Sequence, residues 1–109
     1  MKVCELQHMP YLTTHVLTNP DKEIFGVYAG DLLSWVMGHA EQSNILVTIM
    51  SNVNVLAVAS LLDLSCVILS EGVKPDEEFK KLANEKQINV FSSNLDTYSL
   101  CTKLYEVLK

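Results

Sequence analysis

The sequence predicts a three-layer α/β fold: a mostly parallel sheet of about five strands, covered on both faces by helices, within a single domain spanning residues 1–109. Three observations carry this. Two runs, Ile45–Met50 and "SCVILS" at 65–70, are almost continuously apolar and rich in β-branched residues, as strands buried on both faces must be. Helical patterns alternate with such runs at the intervals of βα units. Each switch from strand to helix falls on a cluster of Ser, Asn, Asp or Gly.

Taken in order, residues 3–8 read as a short extended piece, and "IFGVYAG" at 24–30 reads as a strand closed by a glycine. "DLLSWVMGHA" starts a helix with Asp31 as its cap and places Leu32, Trp35, Val36 and His39 on one face. Trp35 and Tyr28 are read as core or interface residues. After the strand at 45–50, Ser51, Asn52 and Asn54 break the apolar pattern before the alanine- and leucine-rich stretch Val55–Leu62. Side chains of this type accept hydrogen bonds from the free N–H groups of a helix start, so Asn52 is expected to cap the helix there.

The strand at 65–70 ends in Glu71-Gly72, and "KPDEEFKKLANEKQ" follows as the clearest helix. Pro75 stands in its first turn, acids gather at the positive end, and Phe79, Leu82 and Ala83 form its buried stripe. "INVF" is a short strand. The closing helix, from Asp96 as cap, turns Leu100, Leu104, Val107 and Leu108 inward.

Charge and composition narrow the function. Thirteen acidic residues against eight basic ones give a net charge of −5, and every basic residue is a scattered lysine. A nucleic-acid surface needs the opposite sign on one face, so no nucleic-acid partner is expected. The longest apolar stretch, Val53 to Leu62, is about half a membrane span, and the amino-terminal segment lacks a signal-peptide pattern, so the expectation is a cytoplasmic chain without a membrane partner. Cys4, Cys66 and Cys101 are odd in number and far apart, which reads as buried thiols rather than a disulfide framework or a zinc site. No metal and no cofactor is expected.

In open parallel sheets, ligands meet the loops beyond the carboxyl ends of the strands, where helix N-termini converge. The candidate ligand-binding residues are therefore Gly30, Asp31, Ser51, Asn52, Asn54, Glu71, Gly72, Ser93, Asp96 and Thr97. His8, His15 and His39 fall outside these loops, so no Ser–His or Cys–His pair is expected, and no catalytic residue is assigned. Walker-type and GxGxxG patterns are absent.

"YAGDLLSWVMGHA", the stretch from "VTIMSNVNVLAVASLL" through "SEGVKPDEEFKKLAN", and "INVFSSNLDTYSL" together resemble the DRTGG domain family over residues 24–108. The name-giving Asp-Arg-Thr-Gly-Gly run would fall at Asn52 to Leu56, where this chain reads Asn-Val-Asn-Val-Leu. The resemblance implies a fold similar to the amino-terminal domain of HPr kinase. It also implies a regulatory or oligomerising module of the kind that accompanies CBS modules in regulated pyrophosphatases, sometimes beside an adenine-nucleotide site. Stand-alone members occur beside redox and hydrogenase-related genes. The function expected is a non-catalytic regulatory or partner-binding module, forming a homodimer and meeting another protein of a metabolic or redox system. The alternative is a sensor of an adenine nucleotide or other anion at the strand-end rim.

Overall fold

A computed structural model describes residues 1–109. Its centre is a five-stranded sheet of β1 (Thr13–Val16), β2 (Val27–Ala29), β3 (Ile45–Thr48), β4 (Cys66–Leu69) and β5 (Asn89–Ser92). The spatial order is β1-β5-β4-β3-β2. The four strands β2 to β5 run parallel, and β1 is antiparallel to β5. The helices are α1 (Leu33–His39), α2 (Asn54–Leu61), α3 (Glu77–Lys86) and α4 (Thr97–Leu108), preceded by a 3₁₀ segment at Val3–His8. No helix is long and apolar enough to cross a membrane.

Because β2 to β5 lie side by side in chain order, right-handed crossovers deliver α1, α2 and α3 to the same face. The core confirms it: Val36, Leu56 and Phe79 from those helices share one cluster with Leu46, Val67, Leu69 and Val90 from the strands. The opposite face needs another cover. It is supplied by Leu100 and Leu104 of α4 with Val3, Leu6, Leu12 and Ile24 from the amino-terminal part, packed on Ile45, Val47, Cys66, Ile68 and Phe91. Period-two alternation therefore divides each central strand between two cores.

Several elements depart from the expectation. Residues 3–8 form a 3₁₀ helix, not an extended strand, with Val3 and Leu6 buried three residues apart as three residues per turn requires. The additional strand is β1, whose "TTHV" is exposed except toward Val16. On α1 only Val36 is buried: Leu32, Trp35, Met37 and His39 face out, and the Trp35 and His39 rings stack with centroids 4.1 Å apart. Asp31 does not cap α1, since no side-chain cap bond forms at its start. On α4, Val107 is exposed and Leu100 with Leu104 carry the contact.

The two-core arrangement makes Phe91 a sensitive position. It is fully buried under α4 and the 3₁₀ segment. Phe91→Ala is predicted to lower stability by about 3–5 kcal/mol, as judged by urea unfolding, because the cavity opens between packed elements that cannot both collapse into it. A loss below about 1 kcal/mol would show that this face is loosely packed.

Candidate functional site

The carboxyl ends of β2, β3, β4 and β5 lie along one edge of the sheet, and the loops that leave them, with the first residues of α2 and α4, hold every residue the sequence nominates. These residues fall into groups joined by hydrogen bonds. At the β2 end, the Asp31 Oδ1 accepts from Thr48 Oγ1 and from the Ile49 amide, both at 2.9 Å, so this carboxylate ties the β2 loop to the end of β3. Gly30 donates its N–H to Val47 O, and a Cβ there would come within 3.1 Å of the Tyr28 ring.

Ser51, Asn52 and Asn54 stay apart from the other loops. Asn52 Oδ1 accepts the Asn54 N–H at 2.9 Å. The regular helix begins at Asn54, and Val53, with helical angles of −64° and −17°, makes no side-chain cap bond of its own. Asn52 is thus the residue whose side chain satisfies the helix start, as the sequence predicts. No hydrogen bond is made by the side chains of Ser51 or Asn54. Asn52→Ala is predicted to cost about 0.5–2 kcal/mol in chemical unfolding through the orphaned Asn54 N–H, and a midpoint equal to wild type would refute the capping role.

The β4 and β5 loops are bolted together. Glu71 and Gly72 both take left-handed conformations, with φ of +61° and +78°. Their N–H groups donate to Leu95 O and Ser93 O. The Glu71 Oε2 accepts the Thr97 N–H at 2.8 Å, the Ser70 and Thr97 hydroxyls meet at 2.8 Å, and Ser93 Oγ accepts the Leu95 N–H. Asp96 Oδ1 accepts the Ser99 N–H, and that backbone bond holds its carboxyl below the usual range. Glu71 and Asp96 therefore both serve the positive end of α4.

At the outer end of the rim the structure corrects the sequence reading. His15 lies on β1, and β1 pairs with β5, so its Nε2 comes 2.7 Å from Ser92 Oγ. A histidine and a serine do meet, across 77 positions of sequence. Lys74 reaches the same serine with Nζ at 3.4 Å and Asn94 Oδ1 at 3.4 Å. Burial, and then the positive fields of Lys80 and Lys74, push the His15 imidazole below its ordinary value. His15 and Lys74 lie outside the loops the sequence nominates, whereas Ser92 and Asn94 fall in its 92–97 rim segment. The only local sign was that the loop after "INVF" opens with two serines.

Elsewhere, Cys66 is fully buried and its thiol is pushed far up by desolvation, which keeps it protonated and inert. No three residues of His, Cys, Asp and Glu gather closely enough to hold a metal ion. On the far side of β2, a cavity of ≈ 380 Å³ opens between that edge strand and α4, lined by Gly26, Val27, Ala29, Cys101, Tyr105 and Leu108, with Lys109 beside them.

The lowered basicity of His15 has a sign. Its unfolded form binds a proton more readily than its folded form, so the stability it contributes is present above the ordinary value of 6.5 and is lost as pH falls through the folded value. Unfolding midpoints measured between about pH 7 and about pH 5 should fall, and His15→Gln should flatten that part of the decline. An identical decline in the variant would assign it to the carboxylates instead.

The comparisons with known proteins agree with this architecture. The family model for the DRTGG domain matches residues 9–107. Among solved structures, the chain is similar to the CBS and DRTGG domains of the regulatory region of Clostridium perfringens pyrophosphatase, complexed with its activator diadenosine tetraphosphate. The TM-score is 0.65 and the identity 17 %. The match covers 85 % of this chain and 40 % of that one. None of the curated proteins matches the chain. With the match running from the loop before β1 to the last turn of α4, the chain belongs to the DRTGG domain family.

Proposed function

We propose that the chain is a non-catalytic regulatory or partner-binding module that works as a homodimer and acts on another protein of a metabolic or redox system in the cytoplasm. The observation that carries this reading is the contrast between the molecule's two open surfaces. On the strand-end rim, Asp31, Glu71 and Asp96 all spend their carboxylates on backbone or hydroxyl donors within the fold, which is the work of bracing rather than proton transfer. Beside β2, by contrast, an apolar groove adjoins a strand with no neighbour on its outer side. That strand carries no Lys, Pro or bulge to discourage pairing, and Phe25 and Tyr105 stand exposed at its flanks.

A second copy offers the same edge in a twofold arrangement, pairing β2 with β2 and stacking apolar surface on both sides. Light scattering across a range of concentrations should give twice the monomer mass, and Val27→Lys, which sets like charges against one another at such an edge, should return the monomer. A monomer mass at every concentration would defeat the homodimer reading.

The alternative is a sensor of an adenine nucleotide or other anion at the rim. The pyrophosphatase regulatory region that shares the fold is complexed with a dinucleotide activator, which favours this reading. AMP, ADP and ATP should then raise the melting temperature, since a ligand held only by the folded state stabilises it. No shift at millimolar nucleotide would leave the partner-binding reading ahead.

A further inference from the structure

The corner where β1 joins β5 gathers positive groups in an otherwise acidic chain. β1 is irregular between Thr14 and Val16, and His15, the residue set between the two paired positions, has its imidazole on Ser92. Such bulges re-aim a side chain. Ser92 is fully buried, whereas Lys74 is exposed and arrives from the loop before α3. Both Lys74 bonds are long for an ammonium, both acceptors are neutral, and the ion pairs of the molecule engage Met1, Lys22 and Lys80 instead. An ammonium pairs more strongly with an ionised oxygen than with the two it has.

The first two carboxylates after Lys74 in the chain are engaged elsewhere. Asp76 accepts the Phe79 N–H, and Glu77 pairs with Lys80 at 2.9 Å. The charged groups felt at His15 are both cations, Lys80 on α3 and Lys74 on its loop. Next to Asn94 a cavity of ≈ 250 Å³ opens, with Pro10, Tyr11, Thr13 and Leu95 as its other walls. The hydroxyl of Tyr11 is buried without a hydrogen-bond partner in the protein.

We propose that Lys74, His15 and Asn94 form a binding site for a phosphate group, seated over the buried Ser92 hydroxyl. Lys74 supplies the charge. His15 has one ring nitrogen engaged with Ser92 and the other free to donate when protonated. The Asn94 carboxamide adds neutral donors. The anion in turn offsets the field of the two lysines, so it favours the imidazolium and draws a proton onto His15. The ≈ 250 Å³ cavity beside Asn94 is where a group attached to the phosphate would lie. The proposal gives the ligand-sensing alternative a location, and it rests on that reading only for its biological use, because binding is measured directly.

The test is a titration of the isotope-labelled full chain, followed by NMR at constant ionic strength, with inorganic phosphate in one arm, AMP in a second and chloride as control. The expected result is saturable movement of the His15 ring and of the Lys74, Ser93 and Asn94 amides, half complete at about 1 mM phosphate, the range of a site with one full charge. The His15 pKa should rise on saturation. Lys74→Gln should weaken binding by about tenfold, moving the His15 rise to correspondingly higher phosphate, and Lys74→Arg should keep the wild-type affinity. Tighter binding of AMP than of phosphate would identify a nucleotide source that uses the cavity, and equal binding would identify the phosphate group alone. Absence of saturable movement, or the same affinity in Lys74→Gln, would overturn the site. Nucleotide binding that moved the 51–54 amides and ignored Lys74→Gln would overturn it too, while sparing the sensor reading.

Discussion

Everything in the fold follows from the burial of β3, β4 and β5 on both faces. Each of these strands is apolar throughout its four residues apart from Thr48, Asn89 and Ser92, and each sends alternate side chains into a different cluster. A strand of that kind is stable only if both faces are covered. The sequential strand order places the three crossover helices on one face, so the other face depends on α4 and the segment before β1. The start of α4 is accordingly well secured. Glu71, Asp96, Ser70 and Thr97 all bond there, two of them from the neighbouring loop that follows β4.

How far this is legible in the sequence depends on whether the signal is local. β3 and β4 announce themselves because two-sided burial removes polar residues from consecutive positions. Asp96 is legible as a cap because the donor it satisfies is three residues away; Asp76, read only as one of the acids at a helix start, caps α3 in the same way. β1 is not, since an edge strand with one buried residue in four has the composition of a loop. The 3₁₀ segment hides for a related reason: Val3 and Leu6 are spaced for three residues per turn, and six residues are too few to show a period.

The rim divides along the same line. Its membership is readable, because polar residues at strand ends have nowhere else to go in this fold. Its wiring is not. Asp31 resembles a cap by position, yet its carboxylate finds Thr48 and Ile49, which the chain brings alongside only when β2 pairs with β3. The meeting of His15 and Ser92 depends on an antiparallel pairing between the first strand and the last, and no property of either residue foretells it. The sequential strand order matters here as well. No reversal of order occurs among β2 to β5, so no central crevice opens, and the polar groups are strung along the rim from the β2 loop to the β1–β5 corner.

The division of labour between the two cores bears on how the chain is made. A nascent polypeptide that has emerged through β5 holds all the strands and the three crossover helices, and can close the first core at once. The second face is then covered only by Val3, Leu6, Leu12 and Ile24, and Ile45, Val47, Cys66, Ile68 and Phe91 stay partly open until residues 97–108 leave the ribosome and Leu100 and Leu104 descend on them. Exposed apolar sheet of this sort invites association between unfinished chains. Docking of α4 is therefore the step that closes the second core, and the two carboxylates at its amino end, Glu71 and Asp96, fix where the helix starts.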